Sequence, residues 1–102
     1  MNKIKSHIFR KKRYKIVWRR ISSAEKKKMK VDAIASCDSP GTKGKQITID
    51  PTISGRDLLR SAMDEGIHAC VWDFDNQAVD EMAESISRFL WRIGYRISDK
   101  QE

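Results

Sequence analysis

Between residues 13 and 21 the chain reads RYKIVWRRI, and its large apolar residues fall on alternate positions. Tyr14, Ile16 and Trp18 alternate with Arg13, Lys15 and Val17, a two-residue period that predicts a half-buried strand. MKVDAIAS, 29 to 36, alternates again, with Met29, Val31, Ala33 and Ala35 on one face. KQITID, 45 to 50, is a third short strand with Ile47 and Ile49 facing one way. SSAEKKK, after the first strand, reads as a polar turn or a short helical excursion, and CDSPGTKGK reads as a Pro- and Gly-rich loop.

Pro51 closes the third strand, and beyond it the period lengthens. Ser54 and Asp57 approximate a capping box, and Leu58, Leu59, Ala62, Met63, Gly66, Ala69 and Cys70 recur at helical spacing. WDFD interrupts the pattern, and Asp75 is placed to cap a second helix. There Val79, Met82, Ala83, Ile86, Phe89, Leu90 and Ile93 form an apolar stripe that ends at Gly94. These elements predict an α+β domain, a small antiparallel β-sheet packed against two long α-helices. The expected organisation is a basic flexible tail over 1–12, one domain over 13–97 and a C-terminal tail over 98–102.

A chain of 102 residues supports one domain with a modest core. No apolar run approaches the roughly 20 residues that span a bilayer, so no membrane association is expected. The basic start lacks the apolar segment and small-residue cleavage site of a secretory signal. Cys37 and Cys70 make no disulfide framework, and a reducing cytoplasm suits them.

Charge changes the picture more than composition does. Residues 1–30 hold 13 Lys and Arg against Glu25, whereas residues 31–102 hold 8 against 13 acids. Lys11, Lys12, Arg13, Lys15, Arg19 and Arg20, with Tyr14 and Trp18 among them, are therefore candidates for contact with nucleic acid. Strand alternation turns Tyr14 and Trp18 inward, which favours phosphate attraction over base reading. An edge strand guarded by lysines would look the same. Trp72, Trp91 and Tyr95 are open to two readings, a protein-binding patch or closure of the ends of the helix pair.

The candidate chemistry lies at D-E-G-I-H, 64 to 68. Asp64 and His68 sit four apart on one helical face, and both side chains are legitimate zinc ligands. Glu65 is displaced by about 100° and within reach of a water held between them. With a third donor this would be a zinc site with Glu65 as general base, one histidine short of H-E-x-x-H. Asp, Glu and His this close together are also common on ordinary surface helices. Gly66 costs the helix roughly 1 kcal/mol against alanine, which a close approach by the neighbouring helix or a ligand would justify.

Beyond those five residues the chain resembles the small metallopeptidase-like proteins of tailed bacteriophages, minimal HExxH zincin-like domains. The likeness runs over about 13–96, through KRYKIVWRR, CDSP, KQITID, the D-E-G-I-H helix and FLWRIGYR. It implies a zincin-like fold, zinc as cofactor and peptide hydrolysis by metal-activated water, in the host cytoplasm. Asp64 stands where the family's first zinc histidine belongs, Glu65 at the catalytic glutamate and His68 at the second histidine. The family's acidic third ligand falls at Asn76, with Asp75 adjacent and Asp80 one turn on. Two of three ligands are thus changed, which implies a rearranged site or a pseudoenzyme. The alternative is a non-catalytic protein whose basic N-terminal segment binds nucleic acid or a host or phage protein.

Overall fold

A computed structural model describes residues 2–24, 35–53 and 55–96. The elements run β1 (Ser6–Phe9), β2 (Lys12–Trp18), β3 (Ala35–Cys37), β4 (Gln46–Ile49), α1 (Gly55–Cys70) and α2 (Asn76–Arg92). They form the expected α+β arrangement, a four-stranded sheet in the order β1-β2-β4-β3 with two helices. The positions assigned to a strand at Met29, Val31 and Ala33, the cap at Ser54 and the tail over 98–102 lie outside the described residues.

Two expectations are corrected. The sheet is mixed, because β2 and β4 pair in parallel from Lys15↔Gln46 to Trp18↔Ile49. The reason is topological. The chain reverses into β3 and again into β4, and β3 takes the outer edge, leaving β2 and β4 adjacent and pointing the same way. Nor is all of 1–12 a tail. Ser6–Phe9 pairs antiparallel with β2 from Ser6↔Lys15 to Phe9↔Lys12. Arg10 and Lys11 make the two-residue turn with φ of 46° and 70°, the twist that tight hairpins need and that is strained for residues with a Cβ. The Arg10 guanidinium then donates to the Cys70 carbonyl at 2.9 Å, satisfying an orphan acceptor at the C-terminus of α1.

Alternation decides the sheet's two faces. Tyr14, Ile16, Ile47 and Ile49 turn toward α1 and form the core with Leu58 and Ala69. Tyr14 is fully enclosed, and its hydroxyl donates to the Asp38 carbonyl at 3.1 Å. Phe9 meets the Tyr14 ring edge-on at 5.7 Å. A Cβ at Gly66 would stand 3.4 Å from Phe9 Cε1, so the close neighbour of this mid-helix glycine is the β1 strand, not the second helix.

α2 packs along α1 instead of on the sheet. Asp75 caps it as expected, accepting the Ala78 amide at 3.0 Å. At its far end the Gly94 amide reaches the Trp91 carbonyl and the Tyr95 amide the Leu90 carbonyl, with Gly94 at φ 107°. That is a Schellman termination, which requires the left-handed residue that glycine supplies. No helix among the described residues is long and apolar enough to cross a membrane.

Candidate functional site

The D-E-G-I-H segment falls in the last turns of α1. The side of α1 that is buried is Leu58, Ser61, Glu65 and Ala69, so a glutamate occupies a position that helical spacing reserves for the sheet contact. Glu65 retains 6% exposure. Asp64 and His68 lie beside it, half-buried, and one ligand atom from each of the three residues falls within 4.8 Å of the others. His68 Nε2 stands 3.8 Å from Asp64 Oδ2. Donors on a tetrahedral zinc ion with bonds of about 2.0–2.1 Å stand roughly 3.3–3.4 Å apart. The set therefore needs to close by up to roughly 1.5 Å.

The electrostatics are those of a crowded acidic pair. Burial first, and then the Asp64 carboxylate, push Glu65 up to about 8. Burial also raises Asp64, with His68 acting in the opposite direction. Asp64 Oδ1 is buried without a hydrogen-bond partner among the described residues, an arrangement that costs roughly 1–3 kcal/mol. Cys37, on the edge strand β3, is pushed up to about 12 by burial and then by Glu65, so its thiol is neutral. The sequence places Cys37 only in a Pro- and Gly-rich segment. Its position beside Glu65 depends on β3 packing against α1, which no local signal encodes.

Across the helix seam lies a polar network that residue types alone did not reveal. Arg60 pairs with Asp80, and its Nε lies 2.9 Å from Glu84 Oε2. Arg56 approaches Glu84 at 3.7 Å, and Arg88 donates to it at 2.9 Å. The Arg56 and Arg60 pairs join α1 to α2, whereas Arg88 and Glu84 both belong to α2. One turn further on, Asp64 falls level with the start of α2, and the His68 and Trp72 rings meet edge-on at 6.2 Å. Spacing of four within each helix was readable; which turn faces which was not.

The three candidate ligands from the second helix are not gathered with the first set. Asp75 uses its carboxylate as the N-cap. Asn76 is exposed at the first turn of α2. Asp80 is held by Arg60, close enough to Asp64 to raise it. Among the described residues the gathered donors are Asp64, Glu65 and His68, all from α1.

Four of the basic candidates lie on the hairpin, and Arg19 and Arg20 follow the end of β2. Lys11, Lys12, Arg13 and Lys15 are exposed, while Tyr14 between them is buried. Arg13 donates to Ser6 Oγ at 3.0 Å. Arg19 donates to the Arg20 carbonyl at 3.2 Å, and Arg20 stands 4.0 Å from the buried Asp50. Trp91 lies over the start of α1 at Gly55 and under the Arg96 guanidinium. Trp72 and Tyr95 are exposed.

Set against known proteins, the chain matches no family model, no curated protein and no solved structure. None of these comparisons supports the expected resemblance to phage metallopeptidase-like proteins.

Proposed function

We propose that this chain is a metallopeptidase-like domain with an altered ligand set, which binds a divalent metal, zinc by its donor chemistry, without using it for hydrolysis. The observation that carries this reading is the grouping of Asp64, Glu65 and His68 within 4.8 Å. Carboxylate oxygen and imidazole nitrogen are the donors zinc accepts alongside thiolate. A cation there would partner the orphaned Asp64 Oδ1 and offset the burial and the Asp64 charge that together raise Glu65.

The loss of hydrolysis follows from counting roles. Three protein donors are needed to hold zinc with an open position. With Asp75 capping and Asp80 on Arg60, the third donor is Glu65. A glutamate bound to the metal no longer accepts a proton from an attacking water. Bound metal would supply Lewis acidity, but no carboxylate of the gathered set remains as base. The setting, the host cytoplasm during infection by a tailed phage, is supported by the sequence resemblance alone.

The test is zinc competition against a chromogenic chelator for the wild type and Glu65→Gln. A ligand role predicts at least about tenfold weaker zinc binding in the variant, because an amide oxygen is a poor donor beside a carboxylate. Unchanged affinity in Glu65→Gln, with peptidase activity in the wild type, would instead make Glu65 the general base.

The exposed Lys11, Lys12, Arg13 and Lys15 on the hairpin favour a second, compatible reading, contact with a nucleic-acid backbone. It predicts binding to mixed-sequence oligonucleotides that weakens steeply with salt and shows no base preference. Salt-independent or absent binding would remove it.

A further inference from the structure

The apolar stripe of the second helix is wider than its contact with α1. Val79 and Ala83 are fully buried in that contact. Ile86, Phe89 and Ile93 are not; they remain 43%, 61% and 57% exposed. A shallow groove of about 430 Å³ runs beside Phe89 and Ile93, with Ser85, Arg88 and Arg92 along it. Three large apolar side chains in one row on a surface helix mark an interaction face more often than an isolated exposed residue does.

The charges around this row indicate what covers it. Among the described residues, the acids within α2, Asp80, Glu81 and Glu84, lie in its first half, and the arginines, Arg88 and Arg92, in its second. At about 100° per residue, Glu81 and Arg92 fall on the same flank of the row. Two copies of α2 packed antiparallel about a two-fold axis near Ile86 and Ser87 bring that flank against itself. Glu81 of each copy then meets Arg92 of the other. The same register seats Phe89 between Met82 and Ile86 of its neighbour, as a knob between ridges. Parallel packing offers neither match. The face is complementary to itself, which is the condition for an isologous dimer.

We propose that this face of α2, built on Ile86, Phe89 and Ile93 and flanked by Glu81 and Arg92, is a homodimer interface with the two helices antiparallel. It borders the α1 contact in the second half of α2, whereas the Asp64, Glu65 and His68 group lies at the far end of α1, level with the start of α2. Pairing therefore leaves that group in each copy undisturbed. The proposal is independent of whether that group binds metal.

The test is sedimentation velocity of the full chain across a concentration series, at low and moderate salt. A monomer–dimer equilibrium is expected in the wild type, and Phe89→Glu is expected to be monomeric throughout. Glu81→Arg and Arg92→Glu should each weaken dimerisation by about tenfold, and the double variant should restore it to within a few-fold of wild type. All three positions are exposed, and unchanged far-ultraviolet dichroism and melting would confirm that each variant folds. A wild type monomeric at every concentration would overturn the proposal. So would a dimer that survives Phe89→Glu, or a charge-swapped double variant no better than the singles.

Discussion

Replacing Glu65 by glutamine should make the metal-free protein more stable at neutral pH. The side chain is 6% exposed and its carboxyl is raised from 4.5 to about 8, chiefly by burial and then by Asp64. Between those two pH values the unfolded chain has released a proton that the folded chain keeps. The unfolded state then binds fewer protons, so stability falls as pH rises, by about 1.4 kcal/mol per pH unit. Below pH 4.5 both states are protonated and nothing is lost. By pH 7 the loss reaches about 3 kcal/mol, and above pH 8 it levels off at about 5 kcal/mol. Glutamine has the same shape and does not titrate. Urea unfolding of both proteins, with a chelator present, at pH 4.5, 6, 7 and 8.5 checks this. The curves should meet at the acid end and separate by about 3 kcal/mol at pH 7 in favour of the variant. A smaller slope should persist in the variant, because Asp64 is also raised. Parallel pH profiles would refute the reasoning and place the Glu65 carboxylate in water.

Asp75→Ala should lower stability by about 1 kcal/mol through loss of the N-cap bond to Ala78, while leaving zinc affinity unchanged. A variant that folds but loses zinc would make Asp75 a ligand and displace Glu65 from that role. Gly66→Ala should gain up to about 1 kcal/mol of helix propensity, less the crowding of Phe9. Its Cβ would sit 3.4 Å from Phe9 Cε1 at the end of an edge strand that has room to yield. Chemical denaturation showing a loss instead would mean that the hairpin is held rigidly against α1.

The elements were largely legible in the sequence because alternation and helical spacing are local. Tyr14, Ile16, Ile47 and Ile49 turn inward as their alternation requires, and Asp75 and Gly94 mark the ends of α2. What was not legible depends on contacts distant in sequence. The parallel pairing of β2 with β4 follows from β4 lying between β2 and the edge strand β3. The strand at Ser6–Phe9 is stabilised by its pairing with β2 and by Phe9 against Tyr14, neither visible in a short basic segment.

The candidate site divides the same way. The proximity of Asp64 and His68 follows from their spacing on one helix, so it could be read directly. The burial of Glu65 could not, because its neighbours Ala62 and Met63 are the more apolar choice for a core face. The packing instead selects Leu58, Ser61, Glu65 and Ala69. The apolar stripe of α2 is a single band in the sequence. It splits because a single neighbouring helix covers only part of it, leaving Ile86, Phe89 and Ile93 outside.

The most direct measurement is the metal content of protein purified without a histidine tag, for the wild type and for His68→Ala, before and after equilibration with zinc. We expect one zinc per chain in the wild type after equilibration, and its loss in His68→Ala with the fold intact by circular dichroism. A folded wild type that takes up no metal, or a His68→Ala variant that retains it in full, would contradict a metal site built on Asp64, Glu65 and His68.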